Sequence, residues 1–383
     1  MRAARRVAQI QPFEVMEVMS RARALEAAGR HVVHLEIGEP DFTAPEPVIE
    51  AAVKALRDGR TAYTPALGIE SLRDAIARFH ADRLGASPAA DCIAVTAGAS
   101  GALLLTLALY VDPGDEILVP DPGYPGYRHF VRALEGVARA LPVGVDTQFQ
   151  PDCATVQAAW GPRTRGLLLG SPANPTGTLM AGAELRRIAE FIAAQGGVLI
   201  VDETYQGLVY GRAPSSAAGL PGEVVAIGSF SKYFCMTGWR LGWTVLPRER
   251  VRELEKLAQH FFICPSTIAQ HAALAAFSPD SLRVLEQHRA EFERRRDFLL
   301  PALQRAGLGV PVVPQGAFYI YAECSRFGDA RDFALRLLQT AAVATTPGSD
   351  FGSHRAQDFI RVAYTRSAAD LEEAVARLAR FCA

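Results

Sequence analysis

The sequence lacks any apolar run of membrane-spanning length, any long basic tract, any Cys-x-x-Cys pair and any cluster of His and Cys at zinc-ligand spacing. Each absence removes a class of function. A membrane-spanning helix needs about 20 consecutive apolar residues, so no membrane role is expected. With 40 Lys and Arg against 41 Asp and Glu, the formal charge is −1, and there is no electrostatic footprint for nucleic acid or an anionic bilayer. The six cysteines, Cys92, Cys153, Cys235, Cys264, Cys324 and Cys382, are scattered and are read as reduced and unliganded, with no metal site. Arg2, Arg5 and Arg6 are followed by Glu14 and Glu17 in place of an apolar signal core, which points to the cytoplasm. No internal repeat or low-complexity tract stands out. A small molecule is therefore the expected partner.

What is present is a chain of 383 residues, 49% hydrophobic and 21% charged, able to bury a large core and to form more than one domain. Short apolar, β-branched runs at 92–96, 117–120, 166–170, 198–201, 224–228 and 242–246 read as strands. Helical spacing marks 12–28, 47–57, 248–260 and 281–305. Strands alternating with helices predict an α/β fold. In the last of these helices Arg289, Arg294, Arg295 and Arg296 alternate with Glu286, Glu291 and Glu293, the pattern of a solvated face.

The chemistry gathers around Lys232, which follows the strand at 224–228 on a loop leaving the sheet, the usual address of active sites in α/β proteins. A lysine held there among apolar neighbours loses hydration, which disfavours the ammonium and frees an amine able to form an imine. Ser229, Ser231 and Arg240 surround it in sequence and offer two hydroxyls and a bidentate guanidinium for a phosphate dianion. An imine-forming lysine beside a phosphate clamp suggests pyridoxal phosphate.

Other stretches carry candidates of the same kind. Gly98, Ala99 and Ser100 open a helix after a strand, where small residues and free N–H groups favour an anion. Tyr124 follows another strand, and Asn174 lies in the Pro- and Gly-fixed loop Ser171-Pro172-Ala173-Asn174-Pro175-Thr176-Gly177. The run 198–201 is apolar enough to be buried on both faces and delivers Asp202, a carboxylate that needs a partner. Taken singly, several of these have plainer readings: Gly38 relieving a turn, Tyr63 starting a surface turn, Asn174 forming a turn, Arg361 facing solvent. Glu203, on the opposite side of its strand from Asp202, is read as structural.

The pattern S-x-S-K-x-F-x-x-T-G-W-R-L-G at 229–242 resembles the class I/II aminotransferases of the fold-type I pyridoxal-phosphate enzymes. The likeness extends through L-x-x-G-E-P-D-F at 35–42, Y-x-x-x-x-G-x-x-x-L-R at 63–73, T-x-G-A at 96–99, P-x-Y-P at 122–125, S-P-x-N-P-T-G at 171–177 and V-D-E-x-Y-x-x-L-x-Y at 201–210. The resemblance implies Lys232 as the Schiff-base lysine and Ser229, Ser231, Arg240, Gly98, Ala99 and Ser100 as phosphate ligands. It implies Tyr124 stacked on the pyridine ring, Asp202 paired with its nitrogen, and Asn174 and Tyr205 on its 3-oxygen. It places Gly38 and Arg361 at the substrate carboxylate and Tyr63 at the phosphate of a neighbouring subunit, so the resemblance also implies a homodimer. It further implies a large domain with a mostly parallel sheet at 47–280, and a smaller α/β domain from an N-terminal arm, 1–46, and the segment 281–383.

The expected reaction moves an amino group between an L-amino acid and a 2-oxo acid, with Lys232 as the proton carrier. A carbon-sulfur lyase on the same scaffold is the alternative. A regulatory, non-enzymatic module needs a DNA-binding domain for which too little chain precedes Leu35, and a cofactor-free homologue should have lost Lys232 or Asp202. Aspartate-type members place a second arginine, contributed by the partner subunit, downstream of T-G-W-R. Between 257 and 282 this chain has no Arg or Lys, only His260 and His271. Phe261, Phe262, Ile263, Ile268 and Phe277 are the expected wall of a pocket for an uncharged side chain, with Arg23, Arg30 and Arg128 left open as alternatives.

Overall fold

The computed structural model describes residues 2–383. Its centre is a seven-stranded sheet in the order Ile93–Thr96, Gly242–Val245, Glu223–Ser229, Val198–Asp202, Thr164–Gly170, Glu116–Asp121, Val137–Pro142. Gly242–Val245 runs antiparallel to both of its neighbours, and every other pair is parallel. Parallel strands covered on both faces explain the continuous apolar runs seen in the sequence. Val198–Asp202 is buried at every position. Alternation then divides its side chains between two layers. Ile200 joins Leu168, Val225 and Ile227 under the helix Gly98–Tyr110, while Leu199 and Val201 join Leu167 and Leu169 under the helix Gly182–Ala194. Burying each such side chain is worth about 1.5–3 kcal/mol. The edge strand Val137–Pro142 was not anticipated; only Leu141 in it is buried, so it has no apolar run to betray it.

The two chain ends meet. Val33–His34 pairs in parallel with Val343–Ala344, and Phe359–Ala363 lies antiparallel between Thr346–Pro347 and Tyr319–Glu323. One apolar cluster joins this region to the sheet, from Phe230 and Trp243 through Leu285 and Phe292 to Phe318, Tyr364 and Leu371. No helix among the described residues is long and apolar enough to cross a membrane.

The 27-residue helix Pro279–Arg305 corrects one expectation. Its charges do not all face solvent. Arg294 is exposed beside Glu291, but Arg295 is only 7% exposed and bonds Asp41 at 2.8 Å and Glu291 at 2.9 Å. Its guanidinium lies over the rings of Phe42 and Phe292. Three successive residues of a helix cannot share one face: Arg295 turns inward and fastens the helix to the turn after Gly38, and Arg296, 13% exposed, lies over the Tyr210 ring.

Candidate active site

The carboxyl ends of the parallel strands converge on one cleft of about 340 Å³. Thr96 leads into Gly98, Ala99 and Ser100, Asp121 into Tyr124, and Gly170 into Asn174, while Asp202 and Ser229 close their own strands. The residues expected to hold cofactor and α-carboxylate are brought together, Tyr63 excepted. Gly38, Ala99, Ser100, Tyr124, Asn174, Asp202, Tyr205, Ser229, Ser231, Lys232, Arg240 and Arg361 line the cleft. Gly98 stands directly behind it against Arg240.

Lys232 donates from Nζ to the carbonyl of Gly38 at 2.7 Å. Burial lowers its pKa to about 8, assisted by the positive charges of Arg361 and Arg240 and opposed by Glu39 and Asp202. Asp202 is 8% exposed. Its Oδ2 accepts from the Tyr127 hydroxyl at 2.9 Å and its Oδ1 from the Thr204 amide at 3.0 Å. Burial raises its pKa despite these donors. The pair is thus a weakened base and a carboxylate short of a cation.

Arg361 is 5% exposed, with its guanidinium carbon 4.4 Å from the ring centre of Tyr319 and 4.9 Å from that of Phe351. Its Nη1 donates to Asn174 Oδ1 at 3.0 Å and its Nη2 to the Glu36 carbonyl and to Thr346 Oγ1. Nε is buried without a partner, a donor left over for a ligand. Asn174 therefore orients Arg361 and keeps its own amide group free. Tyr205 shares a hydrogen bond of 2.8 Å with the Tyr319 hydroxyl, and burial pushes its pKa well up. A Cβ on Gly38 would collide with that same Tyr319 hydroxyl.

The anion cradle is built from backbone as much as from side chains. Gly98 has φ +74° and begins the helix Gly98–Tyr110; a Cβ there would lie 2.5 Å from Arg240 Nη2. Arg240 itself is left-handed at φ +53°, a conformation a non-glycine residue adopts at a cost. Its Nη1 caps the Thr237 carbonyl at 3.0 Å. The Ser231 amide donates to Ser229 Oγ at 3.1 Å. Tyr124 stacks at 6.2 Å on Phe13 and meets Tyr127 edge-on at 5.3 Å. Burial, with Asp202 nearby, lifts its phenol to about 12. Glu203 is structural as expected: it accepts from Ser216 Oγ at 2.7 Å and from the Ala217 amide, and burial raises it to about 8.

These residues fit pyridoxal phosphate on observations of the site itself. A helix N-terminus, two serines and an arginine form the anion end. A buried carboxylate that lacks a cation matches a protonated ring nitrogen. An unpartnered guanidinium N–H matches a substrate carboxylate.

Tyr63 is 80% exposed and outside the cleft of its own chain, where a residue meant for a neighbouring subunit's site would lie. None of the expected apolar pocket residues lines the cleft of its own chain: Phe261 and Ile263 are half exposed, Phe262 packs against the sheet cluster, and Phe277 packs on Phe230 and Phe234. The far wall of the cleft comes instead from Phe13, Val15, Met16 and Met19, at the start of the helix Glu14–Ala27. The available signal was a surplus: that helix seats only Val18 and Ala22 in the core, leaving apolar residues without a job. Tyr127 and Tyr319 were missed too, because hydrogen bonds spanning 75 and 114 residues leave no local trace. Arg128 lies behind Tyr124 in a second cavity and donates to the Asp350 carbonyl at 2.6 Å. Arg23, Arg30, His260 and His271 do not line the cleft.

The family model described as aminotransferase class I and II matches residues 30–378. The chain is 39% identical over 374 residues to the valine–pyruvate aminotransferase of Mycobacterium tuberculosis, covering 97% of this chain and 96% of that one. Its structure is similar to that of an aminotransferase from the same organism, with a TM-score of 0.95 at 38% identity over 100% and 99% of the two chains. It is also similar to the Thermus thermophilus aspartate aminotransferase with maleate, with a TM-score of 0.94 at 36% identity over 99% and 100%.

Proposed function

The chain belongs to the class I and II aminotransferases and is a pyridoxal-phosphate-dependent transaminase, and on that premise we propose that it transfers the amino group of an L-amino acid with an uncharged side chain to a 2-oxo acid. The carrying observation is the wall of Phe13, Val15, Met16 and Met19. The cations lining the cleft are Lys232, Arg240 and Arg361, and each has another task, as amine, phosphate ligand and α-carboxylate clamp. A side-chain carboxylate placed against the apolar wall would bear a desolvation penalty without a paired charge, whereas an apolar side chain gains by burial. The likeness to a valine–pyruvate aminotransferase supports the same reading.

In this reading Lys232 holds the cofactor covalently, and Gly98, Ala99, Ser100, Ser229, Ser231 and Arg240 hold its phosphate. Tyr124 covers the ring face, Asp202 faces the ring nitrogen, and Asn174 and Tyr205 serve the 3-oxygen. When bound, pyridoxal phosphate supplies an electrophilic carbon and a ring that takes up the electrons released at the substrate α-carbon. The residues of the chain do the rest. Arg361 and the backbone at Gly38 fix the α-carboxylate, which orients the α-proton. The Lys232 amine, held near 8, takes that proton on Nζ and returns it, a task suited to a base with a pKa close to the working pH. Asp202, backed by Tyr127 and Thr204, keeps a negative charge where a cation must persist.

The test compares kcat/KM for leucine, phenylalanine, alanine and aspartate with one shared oxo-acid acceptor. The aliphatic or aromatic donors are expected to lead, and a clear preference for aspartate overturns the proposal. Borohydride reduction of the holoenzyme should tag Lys232; a tag on another lysine removes the assignment.

A further inference from the structure

The helix Glu14–Ala27 carries the cleft wall, yet its own N-cap, Phe13, has no side chain able to accept from the first free amides. The acceptor comes from the other end of the chain. Asp350 Oδ1 accepts from the Glu14 amide at 2.8 Å. The neighbouring Ser349 hydroxyl donates to Glu14 Oε2 at 2.8 Å. The carbonyl of Asp350 in turn accepts from Arg128 at 2.6 Å, and its buried carboxylate lines the cleft beside Phe351. Beyond this cap the helix is seated by Val18 and Ala22 on Val32, Leu338, Ala342 and Ala344. The first turn is otherwise held by the Phe13–Tyr124 stack and by exposed ion pairs of Arg331 with Glu14 at 3.9 Å and Glu17 at 3.6 Å, with Phe13 37% and Met16 53% exposed.

We propose that Asp350 is a positioning residue for substrate side-chain selection, capping the N-terminal helix from outside so that Met16 and Met19 are held as the wall against which a long apolar side chain packs. This rests on the functional reading above. Asp350 acts through the helix and touches no reacting atom. A long donor reaches the wall and benefits from its being held; alanine does not reach it. The cap therefore sets a ratio of specificities more than an absolute rate.

The experiment measures amide hydrogen exchange over residues 14–19 of the holoenzyme together with kcat/KM for leucine and for alanine, in wild type, Asp350→Ala, Asp350→Asn and Met19→Ala. Loss of a helix cap should speed exchange in Asp350→Ala by about two- to thirtyfold. The leucine-to-alanine ratio should fall at least about threefold, the scale of one lost methylene contact. Asparagine keeps an acceptor at the same place and should restore both. Met19→Ala should lower the ratio while leaving exchange unchanged. Unchanged exchange in Asp350→Ala overturns the cap, and faster exchange with an unchanged ratio overturns its role in selection. If the wild type transaminates neither donor, the functional reading falls while the exchange data still decide the cap.

Discussion

Lys232 is where burial becomes chemistry. A lysine at its ordinary pKa is neutral in only about one molecule in 3,000 at pH 7, whereas one at about 8 is neutral in about one in ten. The rate at which the cofactor-free protein captures pyridoxal phosphate should therefore climb through pH 8 and level off above it. A climb continuing to pH 10.5, the ordinary lysine value, would show Lys232 to be an unperturbed amine. The linkage has a definite sign. Between about 8 and 10.5 the unfolded chain binds a proton that the folded chain has lost, so this group adds stability as pH rises across that window. Lys232, Asp202, Asn174 and Arg361 were legible as site candidates because each sits in a local motif at or just after a strand. The Tyr319 hydroxyl bonded to Tyr205 and the Tyr127 hydroxyl bonded to Asp202 were not, since the pairing exists only once the sheet has formed.

Elements with continuous apolar runs could be read directly, and their ends carry the candidate site. The strands Glu116–Asp121, Thr164–Gly170, Val198–Asp202 and Glu223–Ser229 all match such runs. Val137–Pro142 and the two-residue strands Val33–His34 and Val343–Ala344 do not, because an exposed edge needs no apolar run and a two-residue pairing depends on a partner at the far end of the chain. At the strand-to-helix junction 96–98 the backbone itself makes the cradle. Gly98→Ala would force φ +74° on a residue with a Cβ and press it to 2.5 Å from Arg240 Nη2. Left-handed strain at a non-glycine residue costs about 1–3 kcal/mol, and displacing Arg240 removes the proposed phosphate ligand. The expected outcome is a lower thermal midpoint without cofactor and a cofactor dissociation constant raised at least about tenfold, the effect of losing one charge-assisted hydrogen bond. Cofactor retention equal to wild type would mean that the Gly98–Arg240 contact has no part in the cradle.

At the scale of the molecule, the apolar segment 261–263 lies outside the cleft of its own chain. In one protomer Phe261 is 50% and Ile263 52% exposed. Tyr63, 80% exposed, belongs to the turn tied to the same region by Thr267 Oγ1 donating to the Ala62 carbonyl at 2.7 Å. Large apolar side chains grouped on a surface mark an interaction site, and a second copy of this chain is the proposed occupant, with Tyr63 completing the partner's phosphate cradle. Complementation tests this. In a mixed dimer of Tyr63→Ala and Lys232→Ala subunits, a Tyr63 that serves the partner's site leaves one site with both defects and the other intact. Random exchange of equal amounts then makes half the dimers mixed, so that about a quarter of all sites are whole. Activity should accordingly rise well above the sum of the two inactive parents towards that level, provided Tyr63→Ala alone is severe. If Tyr63 instead served its own subunit, every site in the mixed dimer would carry one defect and no activity would return. A monomer fully active at assay concentration, measured by sedimentation, would refute the shared site altogether.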